Sequence, residues 1–475
     1  MPFIKARVDF NHKIREWDGF GVNYVETAQT PNYSQYSQDY GGFSTLSKEQ
    51  RQEIINLIFG DDGLKPGIIK MFFDPFHQTE DKQNEPGLSN ICQDNYDHET
   101  SSKWTRYFAK EGLKLTRQQG RDLQIITTLY GPPGWMTKQK FVRGRDLDPK
   151  YEEECGKYMV SWVKYLKEVE GLPVKYISLH NEGEDFVRWP EDGSKDNFDE
   201  GHDYNLYWPP ELVVKYLKLV RQILDANGLD DVGVTPGETS NWYRFDQWGY
   251  ASAIADDEAA LNSMGLITSH GFISFDDNRW FGDARSVGID ILREKRPELH
   301  TWVTSISWKK MNVDFLDDYR HSIYSVKVNG IIPWACIQVP QEWVKGDPNP
   351  GTAFIVDGKG NYEVVDGYYY YKQLCRAGQP GMAVSRVTSN DTEIGMIAFS
   401  ANGTDNPDAF IVLNTSDEKK TVTISITGSL ADEFEAYRTS PNEKYVALGT
   451  FKVNDGCIQY TVPAKSATTF YGTLG

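Results

Sequence analysis

Along residues 18–375, short apolar runs alternate with longer segments in which apolar residues recur every three or four positions. Continuous apolar runs suit strands buried on both faces, and the longer period suits helices packed over them, so the pattern predicts a parallel sheet wrapped by helices. The strand candidates begin near Phe20, Ile68, Gln124, Val174, Val232, Leu266, His300 and Gly330. Eight strand–helix units predict a (β/α)8 TIM barrel. The helices between them carry start and stop signals. Ser47 and Gln50 read as a capping box ahead of Ile54, Ile55, Leu57 and Ile58, with Gly60 as the stop. A second helix spans about 152–170 before Gly171, and a third starts at Pro209 and Pro210 and ends at Gly228.

Beyond Gly381 the period shortens to two, as in 421–428, 410–413 and 468–471, which predicts a β-sandwich side domain. Residues 4–10 alternate in the same way and precede the first barrel strand, so they are expected to join that sandwich. The predicted division is a barrel over 17–376 and a side domain built from both termini, 1–16 plus 377–475.

Charge narrows the partners. Lys and Arg number 50 against 68 Asp and Glu, a net −18, which disfavours nucleic acid and anionic membrane surfaces and favours a neutral substrate. The five cysteines are scattered without metal spacing, so they read as reduced, packed thiols, and neither a metal site nor an organic cofactor is expected. Met1 opens directly onto a strand-like pattern without a leader, and no long apolar span follows. That places the chain in the cytoplasm, or outside the cell if a signal peptide has been removed. Sequons at Asn32, Asn390, Asn402 and Asn414 carry weight only in the second case.

In a barrel of this kind the working residues sit at the carboxyl ends of the strands. The run 176–182 is apolar and ends in Asn181 and Glu182, which delivers a carboxylic acid to the rim, where protonating a leaving oxygen is its commonest use. The third strand leads through Pro132 and Pro133 to Trp135, a sugar platform in the making. The fifth leads to Glu238 and then Trp242, the sixth to His270, the seventh to Ser305 and the eighth to Trp334. Each has a plain structural alternative: Glu182 a buried structural carboxylate, His270 a satisfied core histidine, the tryptophans and Glu238 core residues. The acidic run 191–203 reads as a solvated loop.

Taken together, 18–21, the capping segment 46–51, the turn 132–136, the Asn181–Glu182 pair and the stretch 378–381 resemble the clan A retaining glycoside hydrolases, most closely glycoside hydrolase family 30. The resemblance covers nearly the whole chain. It implies that Glu182 is the general acid/base, that Asn181 holds the sugar 2-hydroxyl, and that a glutamate ending the seventh strand is the nucleophile of a double displacement on a β-glycoside. Ser305 stands in that place, and a serine hydroxyl with no adjacent base is a poor nucleophile. The form in hand is therefore expected to be nearly inactive by the retaining route. The favoured explanation is a Glu→Ser replacement of the nucleophile, as made to trap complexes or to permit synthesis. The others are a binding protein without catalysis, a seventh strand whose end lies elsewhere, and an alternative mechanism with Glu238 or Glu184 as the second carboxylate, of which Glu238 suits the wider spacing of an inverting pair. Two further departures are Lys70, where the resemblance implies arginine, and Phe272, near which it implies tyrosine.

Overall fold

The computed structural model describes residues 4–188, 203–274, 280–307, 310–342 and 351–473. The first strand, β1 (Ile4–Glu16), precedes eight parallel strands: β2 (Gly19–Asn23), β3 (Ile68–Phe73), β4 (Gln124–Leu129), β5 (Val174–Ser178), β6 (Gly233–Thr235), β7 (Ile267–Ser269), β8 (Thr301–Ser307) and β9 (Gly330–Trp334). Their order is β6-β5-β4-β3-β2-β9-β8-β7. Parallel bridges Val234↔Met264 and Thr239↔Ser269 join the two ends, so the sheet closes into a barrel. Each start lies within a residue of the position the sequence pattern predicts.

The barrel is apolar at its base. Ile68, Ile126, Leu266, Trp302 and Ile332 pack together there, with Tyr176 against them. Side chains two positions apart on a strand share a face. The next inward positions on three of these strands are therefore Lys70, Thr128 and Thr268, all buried, so the interior turns polar toward the carboxyl ends. The helices follow their signals. Ser47 caps Lys48–Phe59 in a complete capping box with Gln50, while the next two predicted helices run over Glu152–Glu168 and Pro210–Ala226.

After β9, a small sheet of β10 (Ile337–Gln338), β11 (Phe354–Val356) and β12 (Tyr362–Val364) leads to the last barrel helix, Asp366–Ala377. The chain then forms β13 (Ala383–Ser389), β14 (Ile394–Ser400), β15 (Ala409–Asn414), β16 (Lys420–Thr427), β17 (Glu433–Ser440), β18 (Glu443–Lys452), β19 (Cys457–Val462) and β20 (Ser466–Thr473). With β1 inserted between β13 and β16, they make one nine-stranded sheet. It folds over on itself as a sandwich: Tyr460 of β19, at one edge, packs 5.6 Å from Phe451 of β18 and 5.3 Å from Phe470 of β20. Trp17 pins barrel to sandwich, with its ring against Phe20 and Phe399 and its Nε1 donating to the Gly378 carbonyl at 3.1 Å.

Candidate active site

The extension of β5 past Ser178 runs alongside the extension of β6. The Glu182 amide donates to the Glu238 carbonyl at 2.7 Å, and the Glu238 amide donates to the His180 carbonyl at 2.9 Å. Two carboxylates from strands 56 residues apart are thus clamped side by side. The clamp needs Gly237, whose φ is +91° and where a Cβ would lie 2.1 Å from the His180 ring. Glu182 itself is held at φ +50°, a left-handed conformation that a non-glycine residue adopts at a cost.

His270, just past β7, joins the two carboxylates. Its Nδ1 lies 2.8 Å from Glu182 Oε1 and its Nε2 3.0 Å from Glu238 Oε2. A neutral imidazole has only one N–H, so two ionised acceptors require the imidazolium. Burial opposes that charge, but the two carboxylates outweigh it and raise the His270 pKa above its ordinary value. Glu182 also pairs with Arg188. Burial works against its ionisation, yet Arg188 and then His270 hold its carboxyl well below the usual range.

Glu238 is wholly buried, with Lys70 Nζ on Oε2 and the Thr128 hydroxyl donating to Oε1 at 2.7 Å. Against the cost of burial, Lys70 and then His270 bring its carboxyl down to about 2. Lys70 also donates at 2.9 Å to the Thr304 carbonyl and at 2.9 Å to Ser305 Oγ. The β8–β9 register shifts between Val303 and Ile306, an irregularity that takes Thr304 and Ser305 out of the regular pairing. Ser305 therefore has a nitrogen beside it after all. That nitrogen is not a free base, because Glu238 is bound to the same ammonium.

The remaining candidates divide. Asn181 sits beside the cluster, with its Nδ2 3.3 Å from Asp203 Oδ2. Trp334 is nearly buried, stacked on Tyr40 and edge-on to Phe72, whose ring lies 4.5 Å from Lys70 Nζ. Trp135, in the loop after β4, is half-buried; its Nε1 donates to the Gln78 carbonyl at 2.8 Å and its ring meets Tyr151 edge-on at 5.0 Å. Trp242 is a correction. It opens the helix Trp242–Gln247, which turns the indole inward against Phe245 at 2% exposure, so it is a core residue and no platform. Glu184 is held by Arg244 at 2.8 Å and by the Ser240 amide at 2.8 Å. Phe272 packs edge-on to His270 at 5.4 Å.

Residues 191–202 of the acidic run lie outside the described residues. Asp203, which ends the run, is half-buried, with its Oδ1 3.4 Å from Gln29 Nε2. Burial first, and the Glu182 charge second, raise its carboxyl to about 6. Arg188, Asp203 and Thr128 carried no motif. Lys70 did carry a signal: in β3 all six residues, Ile68–Phe73, are buried, and lysine is the one ionisable group among them.

No protein-family model matches the sequence, and no curated protein sequence matches it. Solved structures do. A GH30 endoxylanase from Clostridium papyrosolvens matches at 17% identity and TM-score 0.69, over 99% of this chain and 100% of that one. The catalytic domain of GH30 xylanase C from Talaromyces cellulolyticus matches at 14% and 0.71, over 99% and 100%. An endo-β1,6-glucanase matches at 16% and 0.69, over 100% and 96%. At such identities the likeness establishes the fold: the chain has the barrel and side-sheet architecture of these glycoside hydrolases from end to end.

Proposed function

We propose that this chain is a glycoside hydrolase barrel for β-glycosides of neutral sugars, with Glu182 as proton donor and position 305 as the seat of the nucleophile. With Ser305 in that seat, the present form binds its glycoside without completing the first displacement. A (β/α)8 barrel hosts many chemistries, so the argument has to rest on the site. The observation that carries it is the unbroken run Arg188–Glu182–His270–Glu238–Lys70–Ser305, which sets a proton donor and residue 305 at one mouth.

The cluster holds the proton the reaction needs. When a glycosidic oxygen displaces Arg188, Glu182 loses the charge that keeps it ionised, and the Nδ1 proton of His270 passes to it. Glu182 then protonates the leaving oxygen as the C1–O bond breaks. Double displacement further needs a carboxylate about 5 to 5.5 Å away on the other face of the sugar. A glutamate at 305 would meet that need, and Lys70 would pair with it. The hydroxyl of Ser305 supplies no charge to an oxocarbenium centre.

The site's spacing favours a second reading. An imidazole bound at both nitrogens holds its partner oxygens roughly 7 to 8 Å apart, inside the span of about 6.5 to 9.5 Å used by inverting enzymes. Glu238 would then be the base. Its carboxyl at about 2 makes it a weak one at neutral pH, which is why the first reading is preferred.

Azide with dinitrophenyl β-glycosides separates the possibilities. On the first reading azide fills the space beside Ser305, attacks C1 and gives the α-glycosyl azide at rates far above those without it. Hydrolysis without azide to the α-sugar, lost in Glu238→Gln, would establish the second. Sugar binding with no turnover under any condition, Ser305→Glu included, would make the chain a carbohydrate-binding protein and defeat both.

A further inference from the structure

The end of the barrel opposite the carboxylates carries a second feature. A cavity of about 200 Å³ lies between the loops that enter β3 and β4, the last barrel helix and the sandwich. Lys65, Arg121 and Arg376 line it, together with Gln379, Asn406, Tyr471 and three apolar residues. Three cations around one cavity are unexpected in a chain with net charge −18.

The structural role of these cations is visible and incomplete. Arg121 Nη2 reaches the Phe59 carbonyl and Gln119 Oε1, and Arg376 Nη1 reaches the carbonyls of Asp61 and Gly63. They therefore help to close the carboxyl end of the helix Lys48–Phe59. Arg121 Nε is left buried without a hydrogen-bond partner. Among the described residues neither arginine has a carboxylate in ion-pair contact. The nearest acid, Asp61, pairs with Lys65 at 3.0 Å from a side chain that is 86% exposed, while Asp62 is taken by Lys372. Burial makes the Arg121 charge costly, and the neighbouring Arg376 adds to that cost.

From this we infer that the cavity is an anion site for a phosphate group, free or carried as the monoester of a small polyol. Two guanidinium forks and an ammonium match the charge and the several oxygens of a phosphate better than those of a monocarboxylate. The volume corresponds to about six or seven waters at roughly 30 Å³ each, enough for the phosphate and a short hydroxylated chain. Asn406 lines the cavity with one of its amide N–H groups on the Thr404 hydroxyl, while the Gln379 amide nitrogen is taken by the Lys65 and Cys375 carbonyls.

Calorimetry on the full chain at constant ionic strength, with inorganic phosphate, glucose 6-phosphate and glucose as separate titrants, tests this. Saturable binding of either phosphate, absent with glucose, is expected, and the tighter of the two identifies the source. Arg121→Gln and Arg376→Gln should each weaken it about tenfold or more, the loss of a charge-assisted hydrogen bond. Asp61→Asn, which frees Lys65 at an exposed position, should tighten it and keeps the test open if the arginine variants fold poorly. Phosphate heats no larger than those of glucose would overturn the inference. So would affinity unmoved by Asp61→Asn together with unmoved affinity in whichever arginine variant folds.

Discussion

Replacing Lys70 by methionine removes its ammonium from the polar layer of the barrel and leaves Glu238 sealed with His270 and Thr128. Both partners of the ion pair are wholly inaccessible. Breaking such a pair from one side costs about 3 to 5 kcal/mol, because the surviving charge has no solvent to turn to. The proton affinity of Glu238 gives a figure of the same order. Its carboxyl falls from 4.5 to about 2, and at about 1.36 kcal/mol per unit that is about 3 kcal/mol from the carboxylate's side, part of which is offset because burial lowers the proton affinity of the Lys70 ammonium. Since the folded value is the lower one, this contribution is present above the unfolded value and lost as pH falls through about 2. In Lys70→Met, Glu238 takes up a proton at higher pH than in the wild type, so the variant's deficit should be largest at pH 7 and shrink as pH falls through the variant's own Glu238 value. The probe is built in: all 13 tryptophans lie between Trp17 and Trp343, none in the strands of the C-terminal sandwich, so tryptophan fluorescence in urea follows the barrel. Lys70→Met with Glu238→Gln should recover more than half of the loss. A deficit under about 1 kcal/mol at pH 7, or a double variant no more stable than the single, would refute the description of this pair as the support of the site.

Arg188→Gln should raise the Glu182 carboxyl by about 1 to 3 units; carboxyl ¹³C titration reads this directly, and an unmoved value would show that Arg188 does not hold the acid ionised. Gly237→Ala places a methyl group against the His180 ring and forces an L side chain to φ +91°. A loss of about 2 kcal/mol or more in the same urea assay is expected, together with loss of any azide-dependent turnover, since the clamp on Glu238 is the part displaced.

The barrel was legible because its signals are local. Each buried strand is a short apolar run, Ser47 and Gln50 sit three residues apart, and prolines and glycines mark the turns. The position of Glu182 just past the end of β5 was legible for the same reason, an apolar strand with a polar end. What the sequence withheld are relations across the barrel. The Lys70–Glu238 pair spans 168 residues, and the tie from Lys70 to Ser305 spans 235, so lysine read only as a departure from arginine. Asp203 was hidden in an acidic run whose average suggests water, while its own surroundings are Asn181, Gln29 and the Glu182 charge. Trp242 was misread because a position just past a strand end suggests exposure, whereas the Asn241 cap starts a helix there and turns the ring into the core.

The most direct measurement is on Ser305→Glu, assayed against a panel of aryl β-glycosides with the anomeric form of the first-released sugar followed by proton NMR. The account predicts that turnover appears, that the β-configuration is retained, and that Glu182→Gln abolishes activity on poor leaving groups while sparing activated ones. No gain from Ser305→Glu on any β-glycoside, or release of the α-sugar, would contradict it.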